Sequence, residues 1–256
     1  MKSDEGLEKL LKSKKYRDIS EDAVKRVYEE ALSRQASAKL ADKAARAKLH
    51  QITGAFITPD GIKKAREYLT AFTAGDETAL NLALALHAST FERPQAEKLY
   101  EKVLSFVGKP RLTLDLACGL NPLVLGRMGL KVWACDISVG AVEIVNEWSG
   151  KCGWDVRAHP MDLIQTQPPP GDLALFMKLL PLMERQRRGA AAELLKRTTA
   201  RFKLVTFPTR TLTGRDVGMQ RHYAEWFEPM IGDDIRLLDS FVQDDELCYL
   251  LEDLNV

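Results

Sequence analysis

The sequence predicts an α/β chain in which a helical N-terminal region precedes a doubly wound, mainly parallel sheet. Three observations carry that expectation. No strand pattern of any length occurs before Arg111. From there on, short apolar runs alternate with amphipathic stretches. The first of those runs ends in a turn of small residues that opens a helix.

In the first region, Ser20-Glu21-Asp22 has the form of an N-cap followed by acids, and Val24, Val27, Tyr28 and Leu32 continue it at helical spacing. Ala41 to Leu49 is a second short helical pattern. Thr58-Pro59-Asp60 places a cap and a proline at the start of a helix running through Ile62, Ala65, Tyr68 and Leu69. The stretch Glu77 to Ala88 is apolar on most faces and is expected to pack against the second region. Strands are then expected at Leu112–Ala117, Val132–Asp136, just before Met161, Leu173–Met177 and Lys203–Phe207. Helices are expected between them at Val139–Trp148 and Met183–Arg197. Ile235–Val242 and Leu247–Leu251 read as two strands joined by the polar turn Gln243-Asp244-Asp245-Glu246. The chain divides accordingly into 1–110 and 111–256, with no internal repeat.

Composition narrows the function classes. The 256 residues carry 29% charged and 45% hydrophobic residues, as a soluble globular protein does, which excludes a disordered or fibrous chain. No apolar run approaches the roughly 20 residues that a membrane helix needs. The opening MKSDEGLEKLLKSKK lacks an apolar signal core, and Cys118, Cys135, Cys152 and Cys248 show no C-x-x-C pairing. A cytoplasmic protein with reduced thiols, neither in a membrane nor built around a metal, is the expectation. The near-neutral total hides a split. Residues 1–111 hold 21 Lys+Arg against 16 Asp+Glu, a net +5, and residues 112–256 hold 16 against 20, a net −4. Such asymmetry can mark a basic binding module, although +5 alone is better explained by a solvated helical surface.

The sharpest local signal is Leu112-Thr113-Leu114-Asp115-Leu116-Ala117-Cys118-Gly119-Leu120-Asn121-Pro122. Its turn lets the backbone approach a ligand at the carboxyl end of a strand, where open α/β sheets bind ligands. The next strand ends in Asp136, 21 residues after Asp115, where an acid can accept hydrogen bonds from both ribose hydroxyls of a nucleoside. A dinucleotide site would want G-x-G-x-x-G, and the second and third glycines are missing. Asp115 would repel a phosphate but could orient a cationic amino-acid group, which favours S-adenosylmethionine over NAD. Asp162 after the third strand could bond an adenine amino group while Leu163 packs on the ring; a plain turn residue is the equal alternative. Met177 and Lys178 end the fourth strand beside the expected position of the transferred methyl, with Lys178 facing RNA phosphate or solvent. No Asp-Pro-Pro-Tyr or Asn-Pro-Pro-Tyr stands there, so the usual device for methylating exocyclic amino groups is absent. A ring nitrogen such as guanine N7 has an in-plane lone pair and needs positioning and little acid–base chemistry. The four His have no metal-ligand spacing.

From about Ser13 to the C-terminus the chain resembles the aminoglycoside-resistance 16S rRNA methyltransferases that modify guanine N7 in the ribosomal decoding site. The matching stretches are Ser13-Lys14-Lys15-Tyr16-Arg17, Leu49-His50-Gln51-Ile52-Thr53-Gly54, Leu86-His87-Ala88-Ser89-Thr90 and Asp115–Pro122. They continue with Lys178–Gln186, Phe207-Pro208-Thr209-Arg210, Gly218-Met219, Tyr223 and Trp226-Phe227. The resemblance implies a Rossmann-like class I S-adenosylmethionine-dependent methyltransferase with a helical N-terminal extension that docks on the small (30S) ribosomal subunit, acting as a monomer. It implies cofactor contacts at His87, Ala88, Ser89, Arg93, Ala117, Gly119, Asp136, Asp162, Leu163, Met177 and Gln186, beside Asp115. Arg93 would clamp the cofactor carboxylate, since a guanidinium holds it bidentately. Relatives usually carry a basic residue where this chain has Phe91, and a leucine where it has Pro94.

Under that resemblance Lys14, Lys15, Arg17, Arg46, Lys48, Lys63 and Lys64 become candidate phosphate contacts, together with Lys178 and, in a Thr/Gly-rich loop, Arg210 and Arg215. Tyr223 and Trp226 could stack on a flipped base, or serve more simply as helix-core aromatics. No residue is needed as acid, base or nucleophile. The other classes open to such a chain are a methyltransferase for another RNA or base, and a non-catalytic RNA-binding protein of the same fold.

Overall fold

The computed structural model describes residues 2–53, 57–209 and 218–256. Seven strands form one sheet in the order β3-β2-β1-β4-β5-β7-β6. They are β1 (Thr113–Leu116), β2 (Val132–Asp136), β3 (Val156–Pro160), β4 (Gly171–Met177), β5 (Ala200–Pro208), β6 (Ile235–Gln243) and β7 (Glu246–Asp253). The first five are parallel, and β7 joins antiparallel between β5 and β6. Chain order reverses at β1, whose Thr113 pairs with both Val132 and Leu173. That reversal is the topological switch point, with its crevice outside the carboxyl ends of β1 and β4. Both faces are covered, which is why β1 and β4 read as near-continuous apolar runs rather than alternating ones.

Seven helices precede the sheet: α1 (Lys2–Leu11), α2 (Glu21–Arg34), α3 (Ala38–Thr53), α4 (Pro59–Thr73), α5 (Thr78–Leu84), α6 (Ala88–Phe91) and α7 (Ala96–Val107). As expected, Thr58 caps α4, its hydroxyl accepting from Gly61 N at 3.0 Å with Pro59 in the first turn. The helices use their apolar faces in two different ways. Leu10, Tyr16, Val24, Val27, Tyr28 and Leu49 close a small core of their own within α1–α3 and the turn before α2. Leu69, Leu80, Ala83, Leu99 and Val103, from α4, α5 and α7, enter the core of the sheet instead. The apolar Glu77–Ala88 stretch therefore packs on the second region, as its pattern implies. Trp148, fully buried on α9 (Val139–Cys152), fixes α4 there by donating from Nε1 to Ala65 O at 3.1 Å and packing on Phe72. No helix among the described residues is long and apolar enough to cross a membrane.

Two local expectations are corrected. Ser20 stands at the N-cap of α2, but its hydroxyl makes no cap bond. Its backbone N–H donates instead to Ile137 O at 2.8 Å, because Ile19 bridges to Ser138 and draws the chain onto the end of β2. The Met183–Arg197 pattern is two helices, α10 (Leu180–Gln186) and α11 (Ala190–Arg197), broken where Gly189 takes φ +82°. Tyr223 and Trp226, on α12 (Met219–Phe227), pack against Phe207 with ring centroids 4.9 and 6.0 Å away. Both remain partly exposed.

Candidate functional site

Parallel strands end on the same side, so the sheet brings residues far apart in sequence to one rim. The turn Ala117–Gly119 leaves β1, Asp136 closes β2, Asp162 and Leu163 follow β3, and Met177 and Lys178 close β4. His87 and Arg93 reach the rim from either end of α6, and Gln186 from the end of α10. Ala117 and Lys178 both hold positive φ, 54° and 53°, at the ends of the two strands that flank the switch point. Strain of this kind persists where surrounding structure over-determines it.

The turn is built around its glycine. Gly119 has φ +51°, and a Cβ there would lie 2.9 Å from Nδ1 of His87 and closer still to Cε1 and Nε2. Its N–H donates to Oδ2 of Asp136 at 2.9 Å, and Ser138 N–H donates to Oδ1 at 2.8 Å. Burial raises the Asp136 carboxyl above its ordinary range, against those backbone bonds. Each carboxylate oxygen retains a second lone pair for a ligand hydroxyl. Burial, with the Arg93 and Lys178 cations adding to it, pushes the His87 imidazolium down to about 4, so the ring is neutral at physiological pH.

Among the described residues, Asp115, Arg93 and Glu246 each keep buried polar atoms that make no hydrogen bond. Asp115, fully inaccessible, accepts from Asn121 Nδ2 at 2.7 Å on Oδ2, while Oδ1 accepts from nothing. Asn121 is itself held by the Tyr100 hydroxyl, which donates to its Oδ1 at 2.6 Å. Desolvation pushes Asp115 up to about 7, against the Asn121 bond and the Arg93 charge. Arg93 is 4% exposed, and its Nε and Nη1 make no hydrogen bond. Its nearest counter-charge is Glu246, at 3.5 Å from Nη1. Buried donors and acceptors left open in this way are rare in folded proteins and mark a place where a ligand completes the set. The set here is an anion-seeking guanidinium and a cation-seeking carboxylate close enough to feel each other's charge.

Four residues of the site have no role assigned from the sequence. Glu246, in the polar turn of the sequence pattern, opens β7, 1% exposed, and its Oε1 lies 3.1 Å from Lys178 Nζ as well as 3.5 Å from Arg93. Tyr100 carries no signal of its own, and Asn121 stands in the turn before Pro122 with no role assigned to it. Arg26, on α2, is 3% exposed and donates to Asp162 and Gln186. Its signal was an arginine inside the buried set Ala23, Val24, Val27 and Tyr28, with Glu30 four residues on.

Two of the expected RNA contacts are engaged within the protein. Lys178 is drawn inward by Glu92 and Glu246, and its side chain is 14% exposed. Arg46 grips Asp42 on its own helix through two bonds of 2.8 and 3.1 Å and lies against the Tyr16 ring. Lys14, Lys15, Arg17, Lys63 and Lys64 are exposed and Lys48 half-exposed, and none forms an ion pair with a described residue. Arg210 and Arg215 lie outside the described residues. Of the other expected cofactor residues, Met177 and Leu163 are buried in the rim, whereas Ala88 is exposed and Ser89 and Gln186 half-buried.

The comparisons agree with this geometry. A family described as "Ribosomal RNA methyltransferase (FmrO)" matches residues 12–248. The 16S rRNA (guanine(1405)-N(7))-methyltransferase of Serratia marcescens is 40% identical over 255 residues, covering 98% of this chain and 99% of the relative. The crystal structure of 16S rRNA methyltransferase RmtF in complex with S-adenosyl-L-homocysteine is 49% identical, with a TM-score of 0.89 and 98% of each chain covered. The 16S rRNA methylase RmtB follows at 37% identity and a TM-score of 0.87, again covering 98% of each chain.

Proposed function

The chain belongs to the FmrO family of ribosomal RNA methyltransferases, and we propose on that footing that it transfers the methyl group of S-adenosylmethionine to N7 of guanine 1405 in 16S rRNA. The observation that carries the cofactor half is the pair of open buried groups, Arg93 Nε/Nη1 and Asp115 Oδ1. A zwitterionic amino acid supplies one carboxylate and one ammonium, which is what that pair lacks. The cradle at Gly119, which a Cβ would fill, and the carboxylate of Asp136 beside it fit the nucleoside that joins that amino acid. Arg93 and Asp115 hold the amino-acid end, Asp136 the ribose, and Asp162, Leu163 and Gln186 the adenine end, with Met177 in the rim.

When bound, S-adenosylmethionine supplies a methyl on a sulfonium, which leaves as a neutral thioether while guanine N7 attacks in line with its lone pair. The positive charge passes to the purine and no proton is removed. The protein's own part is therefore to bind, align and exclude water. His87 is kept neutral against Gly119, and the Cys118 and Cys135 thiols are raised well out of the nucleophilic range by burial.

The pH dependence follows from Asp115. Its folded carboxyl titrates at about 7 and its unfolded one near 3.8, so the empty folded protein holds a proton that the unfolded chain has released. Its stability therefore falls as pH rises through that window. The cofactor ammonium binds the ionised form, so affinity runs the opposite way. Calorimetric titration with S-adenosylhomocysteine is expected to show a plateau above pH 7 and a loss approaching about tenfold per unit below it. An affinity flat from pH 6 to 8 would remove Asp115 from the contact.

The substrate surface is proposed to be Lys14, Lys15, Arg17, Lys48, Lys63 and Lys64, which set the enzyme on 16S rRNA folded in the small subunit. The protein acts as a monomer, in the cytoplasm, and methylation of that guanine confers resistance to aminoglycosides that bind the decoding site. Each lysine that contacts phosphate reduces the salt slope of subunit binding by about 1 when replaced. Lys14→Glu with Lys15→Glu is expected to weaken 30S binding in filter assays and leave S-adenosylhomocysteine affinity unchanged; unaltered 30S binding removes this turn from the interface. The function itself is tested with tritium-labelled S-adenosylmethionine. Label should enter 16S rRNA of purified small subunits stoichiometrically, and no incorporation would refute the activity.

A further inference from the structure

Arg26 lies in the helical region, yet its three guanidinium nitrogens are spent on the cofactor rim and on its own helix. Nε donates to Asp162 Oδ2 at 2.5 Å, Nη2 to Gln186 Oε1 at 2.9 Å and Nη1 to Glu30 Oε1 at 3.1 Å. Asp22, one turn earlier, accepts from the Asp162 backbone N–H at 2.8 Å. Asp162 is 2% exposed, and its other oxygen accepts from Ile164 N–H at 3.0 Å. Burying a carboxylate to this degree is costly unless it is paired and hydrogen-bonded, and Arg26 is the cation that pairs it.

We infer that Arg26 is a positioning residue for the adenine end of the cofactor site, acting through Asp162 and Gln186. The inference rests on the S-adenosylmethionine reading above. An ionised carboxylate only accepts hydrogen bonds, whereas a protonated one also donates. Beside a fixed guanidinium the Asp162 carboxyl is held in one orientation, with a lone pair left on each oxygen for the 6-amino group of adenine. Removing the guanidinium takes away the fork that holds the Asp162 carboxyl and the Gln186 amide in place, so neither is fixed toward the adenine edge. The same fork fixes which way the Gln186 amide points, since its Oε1 accepts from Nη2. Helix α2 is thus a wall of the cofactor site as well as part of the N-terminal helical core.

The readout is a ratio that global loosening does not move. Calorimetry compares S-adenosylhomocysteine with its analogue carrying hydrogen in place of the 6-amino group, on the full-length protein. Wild type is expected to favour the amino form by about tenfold or more, as for a hydrogen bond to a charged acceptor. Arg26→Met should bring the ratio within about threefold of unity, and Arg26→Lys, which restores the cation, should recover most of it. Where Arg26→Met does not fold, Arg26→Gln, uncharged but still able to donate, takes its place with the same expectation. A folded Arg26→Met or Arg26→Gln with the wild-type ratio overturns the inference, as does a wild type that binds both ligands equally. A wild type that binds neither refutes the cofactor reading itself.

Discussion

Arg93→Leu is expected to weaken S-adenosylhomocysteine binding by about two orders of magnitude or more, while the protein still folds. The guanidinium is buried, and two of its nitrogens have no hydrogen-bond acceptor. A bidentate carboxylate would take both. Hydrogen bonds to charged groups contribute roughly 1.5–3 kcal/mol each, and about 1.4 kcal/mol is a factor of ten, so losing the pair costs about a hundredfold. Folding is spared because Glu246, which would otherwise be stranded, keeps Lys178 Nζ at 3.1 Å. Arg93→Lys, a point charge without the fork, should fall between the two. Calorimetric affinity within threefold of wild type for Arg93→Leu would show that the carboxylate is held elsewhere.

Gly119→Ala should damage stability and binding together. The left-handed backbone at φ +51° costs a side-chain-bearing residue about 1 kcal/mol, and overpacking adds roughly 1–3 kcal/mol more. The added methyl would meet the His87 imidazole, which is itself 6% exposed and has little room to give way. A fall in Tm of about 5–10 °C follows for a chain of this size, along with loss of most of the Tm rise that S-adenosylhomocysteine gives. Gly189→Ala separates strain from collision. Gly189 also has positive φ, but nothing lies within 4 Å of its added methyl, so only the backbone cost of about 1 kcal/mol should remain. Equal losses at both positions would mean that His87 does not press on the turn.

The skeleton of the site was legible because its signals are local. Every strand was found within a few residues of its observed limits, since short apolar runs bounded by turns need no knowledge of partners. The turn at Gly119 and the acid at Asp136 were legible for the same reason. Sequence could not say which charges are free. Lys178 looks like Lys14 and Lys63 on paper, and only the fold puts Glu246 beside it. Arg26 was hidden more deeply, because its partners lie 136 and 160 residues away. The net +5 of residues 1–111 was a blunt guide for this reason. Arg26 and Arg93 count toward it, yet both are buried in the cofactor rim, and Arg66 is paired with Glu143 and Glu147. The charge available to rRNA sits on fewer residues, gathered in the turn before α2 and along α3 and α4.

The central claim is that this cleft methylates one ring nitrogen of one guanine. Borohydride and aniline cleave RNA at N7-methylguanine, and primer extension then locates the break. Small subunits incubated with the protein and S-adenosylmethionine should give a single new stop at guanine 1405, absent with Arg93→Leu and absent without cofactor. A stop at another nucleotide, or methyl incorporation with no cleavage at all, would contradict the account.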